Sequence, residues 1–176
     1  MTHPTSCYTY AVVCASNMNR SMSAHLALKD LHYAVESYGT GTAVRLPGPS
    51  VDKPNVYPFA SSTTYVGIAA DLRSKDERLY NENGLLAMLA RNQTIKPSPE
   101  RWQSSTAYAE RPTPFDVVFT CEERVFDLVC EDLALRPTAG APLAVAVHVI
   151  NVEIRDTAAD AAVGARLIAA IAQELE

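Results

Sequence analysis

Apolar positions in this chain fall alternately in short unbroken runs and in helical stripes. The run from Tyr8 to Val13 reads as a buried strand. Met22, Leu26 and Leu31, with Ala24 and Leu28, then share one face of a short helix ending near Leu31, and Ala34 to Tyr38 is a second strand broken by Gly39-Thr40-Gly41. Prolines at 47, 49, 54 and 58 forbid regular structure between Val44 and Phe59, so a long ordered loop or lid is expected there, in the role of a substrate lip. Tyr65, Ile68, Leu72 and Leu79 recur at helical spacing, and Leu85 to Leu89 resumes after Asn83-Gly84, which gives two helices or one broken one. From Ile95 to Pro114, four prolines and Trp102 mark a second irregular stretch.

Phe115 to Thr120 is a third strand. Glu122 and Glu123 follow in the first turn of a helix, where their charge complements the dipole, and Val125, Val129 and Leu133 mark its buried face. Leu143 to Ile154 is a fourth strand, almost continuously apolar, as expected when both faces of a parallel sheet are covered. Thr157 and Asp160 form a capping arrangement for a last helix packed through Val163, Leu167, Ile171 and Leu175. Four strands alternating with helices, without a hairpin signal, predict an α/β doubly wound parallel sheet in a single domain spanning residues 1–176. Ligands in such folds bind at the carboxyl ends of the strands. Cys14, the loop after Tyr38, Cys121 and the residues after Ile154 therefore share one rim, and a protective Cys14–Cys121 disulfide stays open.

The chemistry concentrates in Cys14-Ala15-Ser16-Asn17-Met18-Asn19-Arg20-Ser21, a strand-to-helix connection of anion size. Backbone N–H groups from Ala15, Ser16, Asn17, Met18, Asn19 and Arg20 can converge on a phosphate dianion. Where a nucleotide-binding loop has glycines and a lysine, this one opens with a cysteine, which points to a nucleophile. A helix N-terminus and a nearby guanidinium favour the thiolate of such a residue. Arg20 can fold back to grip two phosphoryl oxygens, and the Ser21 hydroxyl can stabilise the thiolate as it leaves in a second step. Asn17 and Asn19 suit a tight loop, since asparagine tolerates left-handed backbone.

Composition narrows the field. A chain of 176 residues with 48% hydrophobic content can bury a core without staples. A formal net charge of -5 argues against direct nucleic-acid binding. Cys7, Cys14, Cys121 and Cys130 form no C-x-x-C pair and His3, His25, His32 and His148 are scattered, so neither a metal nor any cofactor is expected. No apolar run approaches a membrane span and no leader peptide is recognisable, which suggests an intracellular chain with no membrane role. His25 reads as packed or solvent-facing on the first helix, and Cys121 and Cys130 as small hydrophobes.

Seven collinear stretches, CASNMNRSM (14–22), SYGTGTAVRLPGP (37–49), DKPNVY (52–57), NGLLAMLARN (83–92), IKPSPERW (95–102), FDVVFTCEERVFDLVCEDL (115–133) and VHVINVEIRDT (147–157), resemble one family. It is the Ssu72 family of small cysteine phosphatases of the RNA polymerase II C-terminal domain, built on the low-molecular-weight tyrosine-phosphatase fold. The resemblance implies hydrolysis of phosphoserine at position five of the polymerase heptad repeat, with the following serine-proline bond in cis, in transcription and mRNA 3′-end processing in the nucleus, with the cytoplasm as an alternative second location. It implies Cys14 as nucleophile, Arg20 as phosphate clamp, Asp156 as general acid, and Met18, Arg45, Leu46, Pro47, Tyr80 and Met88 as borders of the peptide groove. The phosphorylated polymerase peptide, a 3′-end-processing scaffold of the symplekin type and a prolyl isomerase are the implied partners.

Arg45 stands where lysine is usual, and Glu153 where aspartate is usual. The chain stops at Glu176 where other members continue, so contacts of that further segment are expected to be absent or replaced. From the residues alone, Glu153 and Asp160 compete with Asp156 for the role of acid. Two rivals remain open: a tyrosine phosphatase or arsenate reductase on the same fold, and a catalytically silent phosphopeptide-binding scaffold.

Overall fold

A computed structural model describes residues 6–104, 115–135 and 146–176. Its central sheet holds four parallel strands in the order β2 (Ala34–Gly39), β1 (Thr9–Cys14), β5 (Val117–Thr120) and β6 (His148–Asn151). The parallel α/β architecture expected from alternation is present. Helix α1 (Arg20–Asp30) follows β1, α2 (Tyr65–Glu82) and α3 (Leu85–Gln93) precede β5, α4 (Glu123–Leu135) follows it, and α5 (Ala158–Leu175) ends the chain.

Side chains alternate across the sheet because the strand period is two. Tyr10, Val12, Cys14, Val117, Phe119 and Cys121 face a core completed by α1 and α5, while Ala11, Val13 and Val118 face Trp102, Phe115 and α4. Trp102 is fully buried in a short 3-10 turn and meets the Tyr38 ring edge-on at 5.6 Å. The irregular stretch before it thus closes one face of the sheet; residues 105–114 lie outside the described residues.

The proline-rich segment differs from expectation. Ala43–Leu46 (β3) and Asn55–Pro58 (β4) form an antiparallel hairpin, with Ala43 opposite Pro58 and Leu46 opposite Asn55. The prolines permit this because 47, 49 and 54 lie in the connection and Pro58 ends a strand of a two-stranded ribbon, where a missing N–H is tolerated. Val44 and Leu46 are buried against α2 and α3, and Arg45 points outward. Tyr57 donates to Asp71 at 2.6 Å and Lys75 to Asn55 at 3.0 Å, which fastens the hairpin to α2. That helix breaks at Asp76 (φ -165, ψ 88), whose carboxylate caps Leu79 N–H at 3.0 Å.

The fourth strand is also shorter and more exposed than its composition suggests. It pairs only over His148–Asn151 at the edge of the sheet, its faces half-covered, and residues 143–145 lie outside the described residues. The last helix is capped as expected, Asp160 N–H donating to Thr157 Oγ1 at 3.0 Å. Its packing face is another matter: Ala161, Gly164, Ala165, Ile168 and Ala172 are buried, while Val163 is 56% and Leu167 50% exposed. Small residues let α5 approach α1 and Ile154 closely. A Cβ on Gly164 would lie 2.3 Å from Ile154 Cδ1.

Gly164→Val is therefore expected to destabilise the protein by about 1–3 kcal/mol, the usual cost of overpacking. Val163→Ala should stay within about 0.5 kcal/mol, as exposed substitutions do. Urea unfolding of both variants checks this, and the reverse ranking would place the buried stripe where size alone suggested it.

Candidate active site

The connection from β1 to α1 lies at the carboxyl edge of the sheet, and its shape is set by donors from elsewhere. Thr40 N–H donates to Cys14 O and Gly41 N–H to Ala15 O, both at 2.9 Å. Tyr65 Oη donates to Asn17 O at 2.8 Å, and Asn92 Nδ2 to Met18 O at 2.7 Å, with Arg91 on the same oxygen at 3.0 Å. Asn19 O accepts from Ser23 N–H within α1. With these carbonyls engaged by donors, the N–H of each following residue points the opposite way, because the peptide is planar and trans. No side chain caps α1, so its first-turn N–H groups add to those of the loop.

Asn17 makes the turn possible, at φ 52 in the left-handed region. Its buried amide donates to Ser21 Oγ and Ser37 Oγ, each at 3.1 Å, and accepts from Glu100 N–H at 3.0 Å. Gly39 has a steric reason to be glycine: a Cβ there would lie 2.8 Å from Ala15 O and 2.9 Å from Asn17 N. The Gly39-Thr40-Gly41 break thus serves as close packing against the loop.

Cys14, 3% exposed, has its Sγ 3.1 Å from Ser21 Oγ. Ser21 Oγ also accepts from Asn17 Nδ2, and either the thiol or the hydroxyl can donate in the contact with the sulfur. Arg20 is buried beside it, held by Glu122, by Ile154 O at 3.1 Å and by Cys121 O at 3.5 Å. Burial works against the charge of this guanidinium, but Cys14, Glu122 and Asp156 outweigh it and raise its pKa. Its buried Nε finds no hydrogen-bond acceptor among the described residues. Glu122, expected only to complement a helix dipole, lies just before α4 and pairs with Arg20 instead.

Of the three candidate carboxylates, Glu153 and Asp156 on the last loop and Asp160 in the first turn of α5, one reaches this site. Asp156 accepts from Asn19 Nδ2 at 2.9 Å and lies 3.6 Å from Arg20 Nε, its side chain 60% exposed. Glu153 accepts from Glu123 N–H at 3.2 Å, and Asp160 pairs with Arg155 at 3.2 Å. Among the expected groove residues, Arg45 and Pro47 are exposed on the hairpin and Met88 is half-buried, whereas Met18, Leu46 and Tyr80 are buried. Arg45 is tied to the loop through its N–H on Ser16 Oγ at 3.3 Å, and Tyr80 Oη accepts from Asn55 Nδ2 at 2.9 Å. Among the described residues no group of three or more His, Cys, Asp or Glu side chains converges on a metal position.

The supporting residues were invisible as a set in the sequence. Ser37, Tyr65, Arg91, Asn92 and Glu100 come from four separate segments, with no spacing that links them to Cys14. His25 belongs with them, since its Nδ1 meets Ser37 Oγ at 2.8 Å. Burial, helped by Lys96 and Lys29, lowers its pKa from 6.5 to about 4. Between those values the unfolded chain takes up a proton that the folded one refuses, so stability falls as pH drops through that window.

The loss for this one group is at most about 3 kcal/mol, at 1.36 kcal/mol per unit. His25→Gln should flatten the decline of unfolding free energy between pH ~6.5 and ~4 relative to the wild type. Denaturant titrations at stepped pH measure that slope, and an unchanged slope would remove His25 as its source.

The chain is similar to known proteins over most of its length. The model of the family described as Ssu72-like protein matches residues 8–176. The RNA polymerase II C-terminal domain phosphatase SSU72 of Candida glabrata is 52% identical over 166 residues, 94% of this chain and 76% of that protein. Its counterpart in Xenopus laevis is 50% identical over 170 residues, 97% of this chain and 82% of that protein. A solved structure of Drosophila melanogaster Ssu72 with Symplekin, bound to a cis peptidomimetic of the phosphoserine-five C-terminal-domain peptide, matches with a TM-score of 0.83. The two are 44% identical, and the match covers 97% of this chain and 82% of that one.

Proposed function

The chain belongs to the Ssu72-like family, and we propose that it is a nuclear serine phosphatase acting on phosphoserine five of the RNA polymerase II heptad, in the cis serine-proline form. The observation that carries this reading is the Cys14 thiol at the head of a loop whose carbonyls are engaged by donors, with the Ser21 hydroxyl 3.1 Å from its sulfur and Arg20 beside it. Those parts match a phosphate dianion in charge and size.

In the first step the Cys14 thiolate attacks phosphorus in line with the departing serine oxygen, and Asp156 gives that oxygen its proton. The equatorial oxygens gather charge where the loop N–H groups and the Arg20 Nε donate, so the stabilisation is greatest in the transition state. The product is a phosphocysteine. In the second step Asp156, now a carboxylate, takes a proton from water as the water oxygen attacks phosphorus, and Cys14 leaves as a thiolate stabilised by Ser21 O–H. No metal or other cofactor is needed. Asp156 is suited to both steps because it sits at the loop yet remains open to water.

The hairpin supplies the peptide lip. Arg45 and Pro47 line its exposed side and Met88 faces it from α3, while Met18, Leu46 and Tyr80 support it from beneath. Symplekin assembles with the Drosophila relative, and a 3′-end-processing scaffold of that type is the partner proposed here. A prolyl isomerase is a functional partner, because it replenishes the cis form.

The test of the nucleophile is Cys14→Ser, which is expected to abolish phosphate release from a heptad peptide phosphorylated at serine five, since a serine alkoxide is inaccessible at neutral pH. Asp156→Asn should slow that peptide by roughly 10²–10⁴-fold while sparing p-nitrophenyl phosphate, whose leaving group departs without a proton. Equal slowing of both substrates would contradict the acid role of Asp156. Faster turnover of a phosphotyrosine peptide would contradict the serine preference.

At excess enzyme, the wild type should release a fast phase equal to the cis population, ~10–30% in flexible peptides, followed by a slow phase that added isomerase accelerates. A single phase indifferent to isomerase would count against the cis groove.

A further inference from the structure

Cys121 is a second thiol at the same rim, completely buried, and the phosphatase mechanism has no use for it. Its place relative to Cys14 is fixed by the sheet. Strands β1 and β5 are parallel neighbours with Val13 opposite Thr120, and Cys121 N–H donates to Val13 O at 3.1 Å, which carries the ladder one residue further. Cys14 and Cys121 are therefore the next pair in register. Both belong to the core on one face of the sheet, together with Val12 and Phe119, so both side chains leave the sheet in the same direction.

Adjacent strands run about 4.7–4.9 Å apart, inside the Cα separation of about 4.4–6.8 Å that a disulfide spans. The register therefore places the two Cα atoms within the span of a disulfide. Both cysteines are free in this structure. We propose that Cys121 is a resolving thiol for Cys14: peroxide oxidation of Cys14 is captured as a reversible Cys14–Cys121 disulfide, which switches the enzyme off and protects its nucleophile.

The electrons balance in two steps. The Cys14 thiolate displaces hydroxide from hydrogen peroxide, giving a sulfenic acid, and the peroxide oxygen-oxygen bond breaks. The Cys121 sulfur then attacks the sulfenic sulfur, a sulfur-sulfur bond forms, and hydroxide leaves with the Cys121 proton as water. A small dithiol returns the two electrons and restores both thiols.

Charge favours the second step after the first. Burial raises the Cys121 pKa most, the charge at Cys14 raises it further, and Arg20 lowers it. Once Cys14 is an uncharged sulfenic acid, its repulsion is gone and the pull of Arg20 remains. Fixed proximity supplies the rest, since reacting groups held together behave as if at very high concentration. Cys130, half-buried on α4, and Cys7, exposed near the first strand, share neither the register nor the face.

The experiment treats purified protein with hydrogen peroxide in small excess. It reads turnover of p-nitrophenyl phosphate before and after a dithiol, alongside intact mass and a non-reducing peptide map. The expected result for the wild type is a mass lower by two hydrogens, a peptide bearing Cys14 joined to one bearing Cys121, near-complete loss of turnover, and near-complete recovery on reduction. Cys121→Ala, measured against its own starting activity, should lose turnover without recovery, with Cys14 carrying two or three added oxygens.

Absence of the Cys14–Cys121 link in wild type overturns the proposal whatever the variant does, so it does not depend on the variant folding. Recovery of Cys121→Ala as complete as that of wild type overturns it as well. The loss of turnover rests on Cys14 being the nucleophile. A link formed with turnover retained would overturn that assignment and the off-switch together, leaving only the disulfide standing.

Discussion

Everything at the rim depends on where the carbonyls of residues 14–19 point. A loop between a strand and a helix carries as many C=O as N–H groups, and a dianion is attracted only if the oxygens face away. Here the oxygens of Cys14, Ala15, Asn17, Met18 and Asn19 each receive a donor. A buried carbonyl without a partner costs on the order of 1–3 kcal/mol, so these donors hold the loop's peptide orientations before any ligand arrives. Such preorganisation is where much of the catalytic advantage of an anion site lies, because no dipoles need to turn during the reaction.

That requirement explains why distant segments converge on a short loop. The Gly39-Thr40-Gly41 turn supplies two N–H donors and the clearance for close approach, α2 supplies Tyr65, and α3 supplies Arg91 and Asn92. The stretch before Trp102 braces the loop from another side: Glu100 N–H holds the Asn17 amide and Glu100 O holds Gly39 N–H. The same helices carry the β3–β4 hairpin, so the wall of the groove and the floor of the phosphate site share one core.

The site also reconciles an acidic chain with an anionic ligand. A formal net charge of -5 gives no long-range attraction, and recognition must come from buried local charge and fixed dipoles. Arg20 supplies the charge while Glu122 holds the guanidinium, as a carboxylate can when it pairs from behind. Asp156, on the solvent side, keeps water access that Arg20 lacks. The guanidinium thus lies between Glu122 and the more exposed Asp156.

The sequence by itself determined the parallel α/β class, the strand-loop-helix holding Cys14, Arg20 and Ser21, and the Thr157 cap. These depend on periodicity and on contacts within a few residues, which composition records directly. The tertiary structure alone decided what depends on contacts across the chain. It put Glu122 on Arg20, Asn92 on the loop, Asp156 rather than Glu153 or Asp160 at the rim, and Cys121 in register with Cys14. It also reversed three local readings. Prolines at the ends of short strands allowed a hairpin, the apolar run around His148 became an exposed edge, and the last helix packs through Gly164, Ile168, Ile171 and three of its alanines while Val163 and Leu167 stay exposed. The reason is common to all three. Local sequence says which residues are able to be buried, whereas how closely two elements approach, and which edge is left without a neighbour, is a property of the packed whole.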